Sequence, residues 1–265
     1  NAAKNNLKTL LVDEKNELGG STIYQNKEFN KIENQNSSDW LKQEISQLKN
    51  IENLEIKTRT SVAAFHSYNY LLARENLTDH LNKNEKQGKI RQRLLKIRAK
   101  KVILATGALE RPMIFNNNDR PGIMLSTAVK KYADFYGVAC GQKTIFFTNN
   151  DSAYESALSL HNKGIKVEAI IDIRENSNSK IVKAVEDTGI KIYWSHGIVD
   201  TKGYKRLSSI SIMKLSNDGS SVTGKRINIS CDCLSISGGW TPAVHLFTQS
   251  GGKLRFDEEN KVFLP

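Results

Sequence analysis

Apolar positions recur along this chain with two periods. Leu10, Leu11 and Val12 make a short run that ends on Asp13 and Glu14, which predicts a strand over 8–14 and a loop over 15–20. Leu41, Ile45 and Leu48 then fall on one helical face, so a helix is expected across 40–49, capped by Ser38 and Asp39. Residues 54–58 read as a short strand, and 60–77 as β-structure rich in Phe65, Tyr68 and Tyr70. A polar, turn-like stretch follows over 79–88. Strand is expected to resume over 89–104, where Leu95, Ile97 and Ala99 alternate with Lys96, Arg98 and Lys100. That alternation predicts a half-exposed strand with a solvated basic face.

The second half repeats the pattern more compactly. Arg111-Pro112 and Arg120-Pro121-Gly122 punctuate the chain, and a helix is expected over 124–136. A strand over 143–147, a helix over 151–163 and a strand over 166–172 spell a β-α-β unit, followed by a helix over 178–188 and a strand over 190–194. Residues 206–215 and 225–234 alternate around Asn217-Asp218-Gly219 as an antiparallel pair. The expected fold is α/β, with two Rossmann-like dinucleotide-binding units and β-rich inserts. Residues 1–108 form the first unit, 109–236 a second, degenerate unit, and 237–265 a return segment toward the first.

Candidate chemistry sits at strand ends. Val102-Ile103-Leu104 reads as a buried strand that breaks into Ala105, Thr106, Gly107 and Ala108. Small residues there let a ligand lie against backbone. Glu14 ends the first strand as the carboxylate that would hydrogen-bond a ribose hydroxyl, with Gly19, Gly20 and Ser21 just beyond it. The glycine-rich phosphate turn should precede such an acid by roughly 20 residues. Glu14 leaves no room for it, so the first unit is expected to be truncated at its N-terminus and the chain to be a fragment that holds nucleotide poorly by itself. Gly238 and Gly239 complete the candidate cofactor set.

Composition narrows the class. The chain has 265 residues, 38% hydrophobic and 25% charged, with no run long enough for a membrane helix. The net charge of +11 reads as general surface composition, because no nucleic-acid module accompanies it, with an anionic partner surface or an acidic subunit as the alternative. Cys140 stands apart from Cys231 and Cys233, which predicts reduced thiols in a cytoplasmic protein rather than a redox pair. The five histidines show no metal-ligand spacing, and no residue qualifies as a catalytic acid or base.

Several blocks resemble the alpha subunit of heterotetrameric sarcosine oxidase, within the two-dinucleotide-domain flavoprotein reductases. They are Asp13 to Ser21, Ala105 to Pro112, Asn118 to Met124, Thr148 to Tyr154, Ser237 to Phe247 and Gln249 to Leu254. The resemblance implies a subunit of an enzyme that oxidises sarcosine to glycine, with formaldehyde or methylenetetrahydrofolate and hydrogen peroxide as products. It implies noncovalent NAD in the first unit, FMN at a subunit interface and FAD in a partner subunit. Beta, gamma and delta-type subunits would be the partners, with no nucleic acid or membrane. A related proline or opine-type amine dehydrogenase subunit, or a noncatalytic nucleotide-binding scaffold, would share the same body.

One departure carries mechanistic content. Reductases that bind NAD(P)H in the second unit need glycines at the turn after its first strand, so that pyrophosphate reaches the helix N-terminus. Here Asn149, Asn150 and Asp151 stand in that turn. They read either as helix caps or as contacts to the interfacial flavin or a partner subunit.

Overall fold

The computed structural model describes residues 1–24 and 30–265, and the chain divides into two compact units. One comprises residues 1–107 and 242–265, the other residues 108–241.

In the first unit, β1 (Thr9–Val12) runs into a 3-10 turn at Gly20–Tyr24 and two minimal strands, β2 (Lys31–Ile32) and β3 (Gln35–Asn36). Helix α1 (Ser37–Leu48) then carries the chain to β4 (Leu54–Lys57), which pairs with β1 in parallel from Thr9↔Leu54 to Val12↔Lys57. A parallel pair requires such a crossover, and α1 supplies it. The helix starts earlier than the sequence pattern suggests. Asn36 is its N-cap, and Asp39 lies in the first turn, where a carboxylate favours the positive end of the helix.

An antiparallel sheet follows, ordered β5 (Thr60–His66), β6 (Tyr70–Asn76), β7 (Gln92–Arg98). Its inner face buries Phe65, Leu71 and Ala73. The polar stretch before β7 holds one helical turn, α2 (Lys83–Lys86), closed by a capping box between Asn82 and Glu85. The buried strand expected at Val102 to Leu104 is not found; residues 101–107 are not in a strand. Those residues have no ladder partner among the described residues, and Ile103 is 84% exposed. An extended apolar run becomes a buried strand only with a neighbour on its edge, and the two-stranded β1-β4 ladder does not extend to it.

The second unit opens with β8 (Ala108–Glu110), β9 (Ile123–Leu125) and α3 (Ser126–Asp134). Then come β10 (Thr144–Thr148), α4 (Ser152–Asn162), β11 (Val167–Asp172), α5 (Lys180–Glu186) and β12 (Lys191–Trp194). After β13 (His196–Lys202), β14 (Ser209–Leu215) and β15 (Val222–Ser230), the chain returns through β16 (Cys233–Ser237) and β17 (Trp240–Pro242), the latter paired with β8. Five strands form a parallel sheet ordered β12-β11-β10-β16-β9.

Alternation along its central strands sorts two cores. Phe146 and Ile170 pack with Val129 of α3, Ala157 of α4 and Val182 of α5. Ile145, Phe147, Ala169 and Ile171 face the other way, onto Ile198, Ile210 and Ile212 of the antiparallel sheet β13-β14-β15. Period-two burial on both faces of a parallel sheet is what helices on one side and a second sheet on the other require.

Two expectations change here. The helix over 124–136 begins only at Ser126, because Ile123–Leu125 pairs with β16 as an edge strand. The strand over 225–234 splits at Cys231 and Asp232. The Asp232 carboxylate accepts the N–H groups of Gln142 and Lys143, at 3.0 and 2.8 Å, and the chain then joins the parallel sheet as β16.

Beyond the second unit, α6 (His245–Gln249) packs on β5, where Gln249 Oε1 accepts the Phe65 N–H at 2.8 Å, and the hairpin β18 (Arg255–Asp257), β19 (Val262–Leu264) closes the chain. Residues 242–265 group with the first unit, and residues 108–241 form the second. Ser237 to Thr241 stay there because Ser237 is in register with Thr148, and Gly238 and Gly239 bond to Arg111.

Candidate functional site

The turn from β10 into α4 is where a dinucleotide fold offers backbone N–H groups to phosphate. Here Asn150 fills that place. Its Oδ1 accepts the Ser152 N–H at 3.1 Å and the Ser152 hydroxyl at 2.5 Å. Its Nδ2 donates to Asn149 Oδ1 at 3.0 Å and to Ser237 Oγ and O at 3.1 and 3.2 Å. Thr148 Oγ1 accepts the Asn150 N–H and donates to the Asn150 carbonyl. Asn149 reaches Gly238 O at 3.4 Å, and Trp240 Nε1 donates to Ser152 Oγ at 3.2 Å. A side-chain amide and a hydroxyl, rather than an anion, therefore satisfy the start of α4.

The carboxylate at the end of β11 is equally committed. Asp172 is fully buried, accepts the Tyr154 hydroxyl at 2.8 Å, and is gripped by Arg174 through its backbone N–H, Nε and Nη2. Arg174 also pairs with Asp151 at 2.8 Å. Burial works against the Arg174 charge, yet its bonds to Asp172 and Asp151 hold the guanidinium protonated beyond its ordinary range. Burial next to the Asp172 carboxylate pushes the Tyr154 phenol up. Burial would raise Asp151 as well, but hydrogen bonds from Ser179 and Arg174 outweigh it and hold the carboxyl below its usual range. The residue in the ribose-binding position is thus locked among Tyr154, Arg174 and a second carboxylate. The sequence reading missed this cluster, although the strand-end signal applied to Glu14 applies equally to Asp172.

Gly238 and Gly239 serve a crossing of two chain segments. A Cβ on Gly238 would lie 3.0 Å from Pro112 O and 3.2 Å from Arg111 O, and one on Gly239 would lie 3.0 Å from Arg111 Nη2. Both glycines thus let the two segments approach closely on the side where a Cβ would stand.

In the first unit, Thr106 Oγ1 donates to Ala243 O at 2.7 Å and the Ala243 N–H to Gly107 O at 2.9 Å. Gly107 adopts φ +69°, and a Cβ there would meet nothing within 4 Å. A cavity of about 640 Å³ opens at this crossing, lined by Leu104, Thr106, Gly107, Ala243 and Phe247 among others. Glu14, Gly19, Gly20 and Ser21 are not in that lining. Glu14 is exposed just past β1 and pairs with Lys15 at 2.9 Å. Gly19 is a packing glycine, since a Cβ would lie 2.5 Å from Leu41 Cδ2 and 2.9 Å from Ile23 Cγ1. Gly20 has φ +56° with open space around it, and Ser21 is exposed in the following turn. For a dinucleotide, Glu14 offers a ribose acceptor, and Gly20 and Gly107 offer unobstructed backbone. No helix N-terminus follows a glycine turn among the described residues of this unit.

No group of three His, Cys, Asp or Glu residues among the described residues could hold a metal, and no described helix is long and apolar enough to cross a membrane. Burial pushes the Cys231 and Cys233 thiols up to about 12, and half-buried Cys140 is raised as well.

A five-stranded parallel sheet with helices on one face, a three-stranded sheet on the other and a second α/β unit define an FAD/NAD(P)-binding, Rossmann-type protein. The family described as pyridine nucleotide-disulphide oxidoreductase matches residues 2–264, and the chain belongs to it. It is similar to the sarcosine oxidase subunit alpha of Corynebacterium sp. (strain P-1), 35% identical over 266 residues, and to that of Rhizobium meliloti (strain 1021), 31% identical over 264. These alignments cover 100% and 99% of this chain, but the chain spans only 27% and 25% of those relatives. Among solved structures, L-proline dehydrogenase from P. horikoshii superposes with a TM-score of 0.68 at 23% identity, over 99% of this chain and 43% of that one. Thioredoxin reductase from T. acidophilum gives 0.67 at 16%, over 97% and 76%.

Proposed function

We propose that this chain is the dinucleotide-binding part of an oxidoreductase subunit of sarcosine oxidase type. The observation that carries the assignment of roles is the contrast between the two units. The second unit's phosphate turn is filled by Asn150 and its strand-end acid by Tyr154 and Arg174, whereas Gly20 and Gly107 of the first unit face open space. NAD is therefore assigned to the first unit, with Glu14 accepting from a ribose hydroxyl and Gly20, Ser21, Thr106, Gly107 and Ala108 offering backbone approach. Gly19 contributes by setting the turn.

Sarcosine as the substrate is supported by the curated relatives that match this chain, which are sarcosine oxidase alpha subunits; glycine, with formaldehyde or methylenetetrahydrofolate and hydrogen peroxide, is the product set this reading expects. Flavins, FMN at a subunit interface and FAD in a partner subunit, would accept the electrons of the amine. This chain's own residues bind and orient. Asn149, Asn150 and Asp151 form a polar end to the second unit that is suited to a flavin or partner contact.

The test uses the complete enzyme with its partner subunits in a cytoplasmic extract and after purification. Sarcosine, proline and an opine are offered, and peroxide, formaldehyde and glycine are measured. Sarcosine-dependent peroxide with NAD that stays oxidised through turnover supports the reading. Turnover of proline or an opine but not sarcosine replaces the substrate. Intact nucleotide with no turnover of any amine leaves only a scaffold.

A further inference from the structure

The outer face of the β5-β6-β7 sheet carries cations and rings, and none of its strand residues is a carboxylate; Asp79, past the end of β6, reaches its far end at Gln92, 2.9 Å away. Directly opposed residues of an antiparallel ladder share a face. Arg98 opposes Tyr70, Lys96 opposes Leu72 and Leu94 opposes Arg74, while His66 opposes Tyr70 from the other side. Arg74, Lys96, Arg98 and Leu94 are exposed. The Arg98 guanidinium lies 5.4 Å from the Tyr70 ring centroid, and the His66 ring 6.0 Å from it. Glu75, the acid on β6, belongs to the inner register and is engaged by Lys57 and Arg93. Arg74, Lys96 and Arg98 make no ion pair among the described residues.

The hairpin that joins β5 to β6 adds an aromatic tip. Tyr68 sits at φ +59° and is 86% exposed, followed by Asn69 at φ +53°. Asparagine tolerates the left-handed region. A tyrosine there costs about 1 kcal/mol and recovers nothing by burial at this exposure. Cations on an edge strand are a common guard against edge pairing. That explanation covers Lys96 and Arg98 of β7, but not Arg74 on the central strand or the ring at the tip. Exposed Tyr and Arg side by side are the residue types that dominate protein interfaces.

We propose that this face, with the Tyr68 tip, is a docking surface for an acidic stretch of another subunit of the enzyme. The inference rests on the reading above that this chain is one subunit of a hetero-oligomer. Uncompensated cations call for an anionic occupant. A subunit assembly favours a protein over a polynucleotide.

The experiment uses the complete subunit in its native complex. A photo-reactive phenylalanine analogue at position 68 should link to an acidic peptide of a different subunit. The double charge reversal K96E/R98E should weaken association with that subunit by about tenfold or more and flatten its salt dependence. Tyr68→Gly removes the ring while favouring the left-handed backbone, so association should fall while thermal stability holds or rises, which a purely structural tyrosine would not do. Links confined to the subunit's own chain, or a complex indifferent to the charge reversal, would overturn the docking surface and leave the subunit reading standing. A protein that purifies with no second subunit would overturn both. An RNA oligonucleotide that binds the wild type and is lost on charge reversal, with subunit affinity unchanged, would overturn the partner class.

Discussion

Asn150 Nδ2 donates to Ser237 Oγ at 3.1 Å, tying the start of α4 to the end of β16 across 87 residues of chain. The same side chain caps Ser152, so one amide performs the work that a bound phosphate does in an open dinucleotide turn. Asn150→Ala leaves the Ser152 N–H and the Ser237 groups short of a partner. The unfolding free energy should fall by about 1–3 kcal/mol, read from urea unfolding of the complete protein. Amide exchange at 149–155 should be unchanged by NADH or NADPH in the wild type. Protection there would show that the turn opens to nucleotide after all.

The Asp172 cluster should be costlier to break. Arg174→Met strands a fully buried carboxylate, and about 3–5 kcal/mol of stability should go with it, measured in the same unfolding assay. Tyr154→Phe removes only one donor and should cost about 1 kcal/mol. Equal losses for the two variants would mean that the Arg174 guanidinium contributes no more to the cluster than a single hydrogen bond.

Asp151 makes stability depend on pH at the acid end. Its folded pKa lies below the ordinary carboxylate value of 3.8, so it contributes fully above that value and its contribution disappears as the pH falls through the folded pKa. The urea midpoint should be level at neutral pH and decline only under distinctly acid conditions. Asp151→Asn should be less stable at neutral pH and should lose less on acidification. A variant with the same acid profile as the wild type would remove Asp151 from the account.

Cys231 and Cys233 should not react as thiols in the folded protein. With both pushed up to about 12 by burial, iodoacetamide at neutral pH should leave them unmodified over hours, while Cys140 reacts slowly and all three react in urea. Mass spectrometry of peptides after timed quenching reads this directly. Rapid labelling of Cys231 would indicate that the second-unit core opens locally.

In the first unit, Glu14→Ala should separate binding from stability. Among the described residues its carboxylate pairs with Lys15, on the surface, so thermal unfolding should not move. If it holds a ribose hydroxyl, NAD retained by the full-length enzyme after dialysis should drop about tenfold or more. Gly107→Val should lower both, because φ +69° disfavours any β-branched residue and the open face would fill.

The local pattern of the chain carried much of this. Leu41, Ile45 and Leu48 mark α1, and the alternation through Ile145, Phe146 and Phe147 marks a strand buried on both faces, because helical and pleated periods are written into neighbouring residues. The two-unit α/β body was legible for the same reason. Partnership was not. Nothing near Val102 to Leu104 tells that this apolar run lacks a ladder neighbour, nor near Ile123 that three residues form the edge beside β16. The approach of Arg111 and Pro112 to Gly238 was not legible either, and Asp172 was silent until Tyr154 and Arg174 closed on it. Period is a property of adjacent residues, whereas a buried contact depends on which distant segment arrives opposite, and only the closed fold decides that.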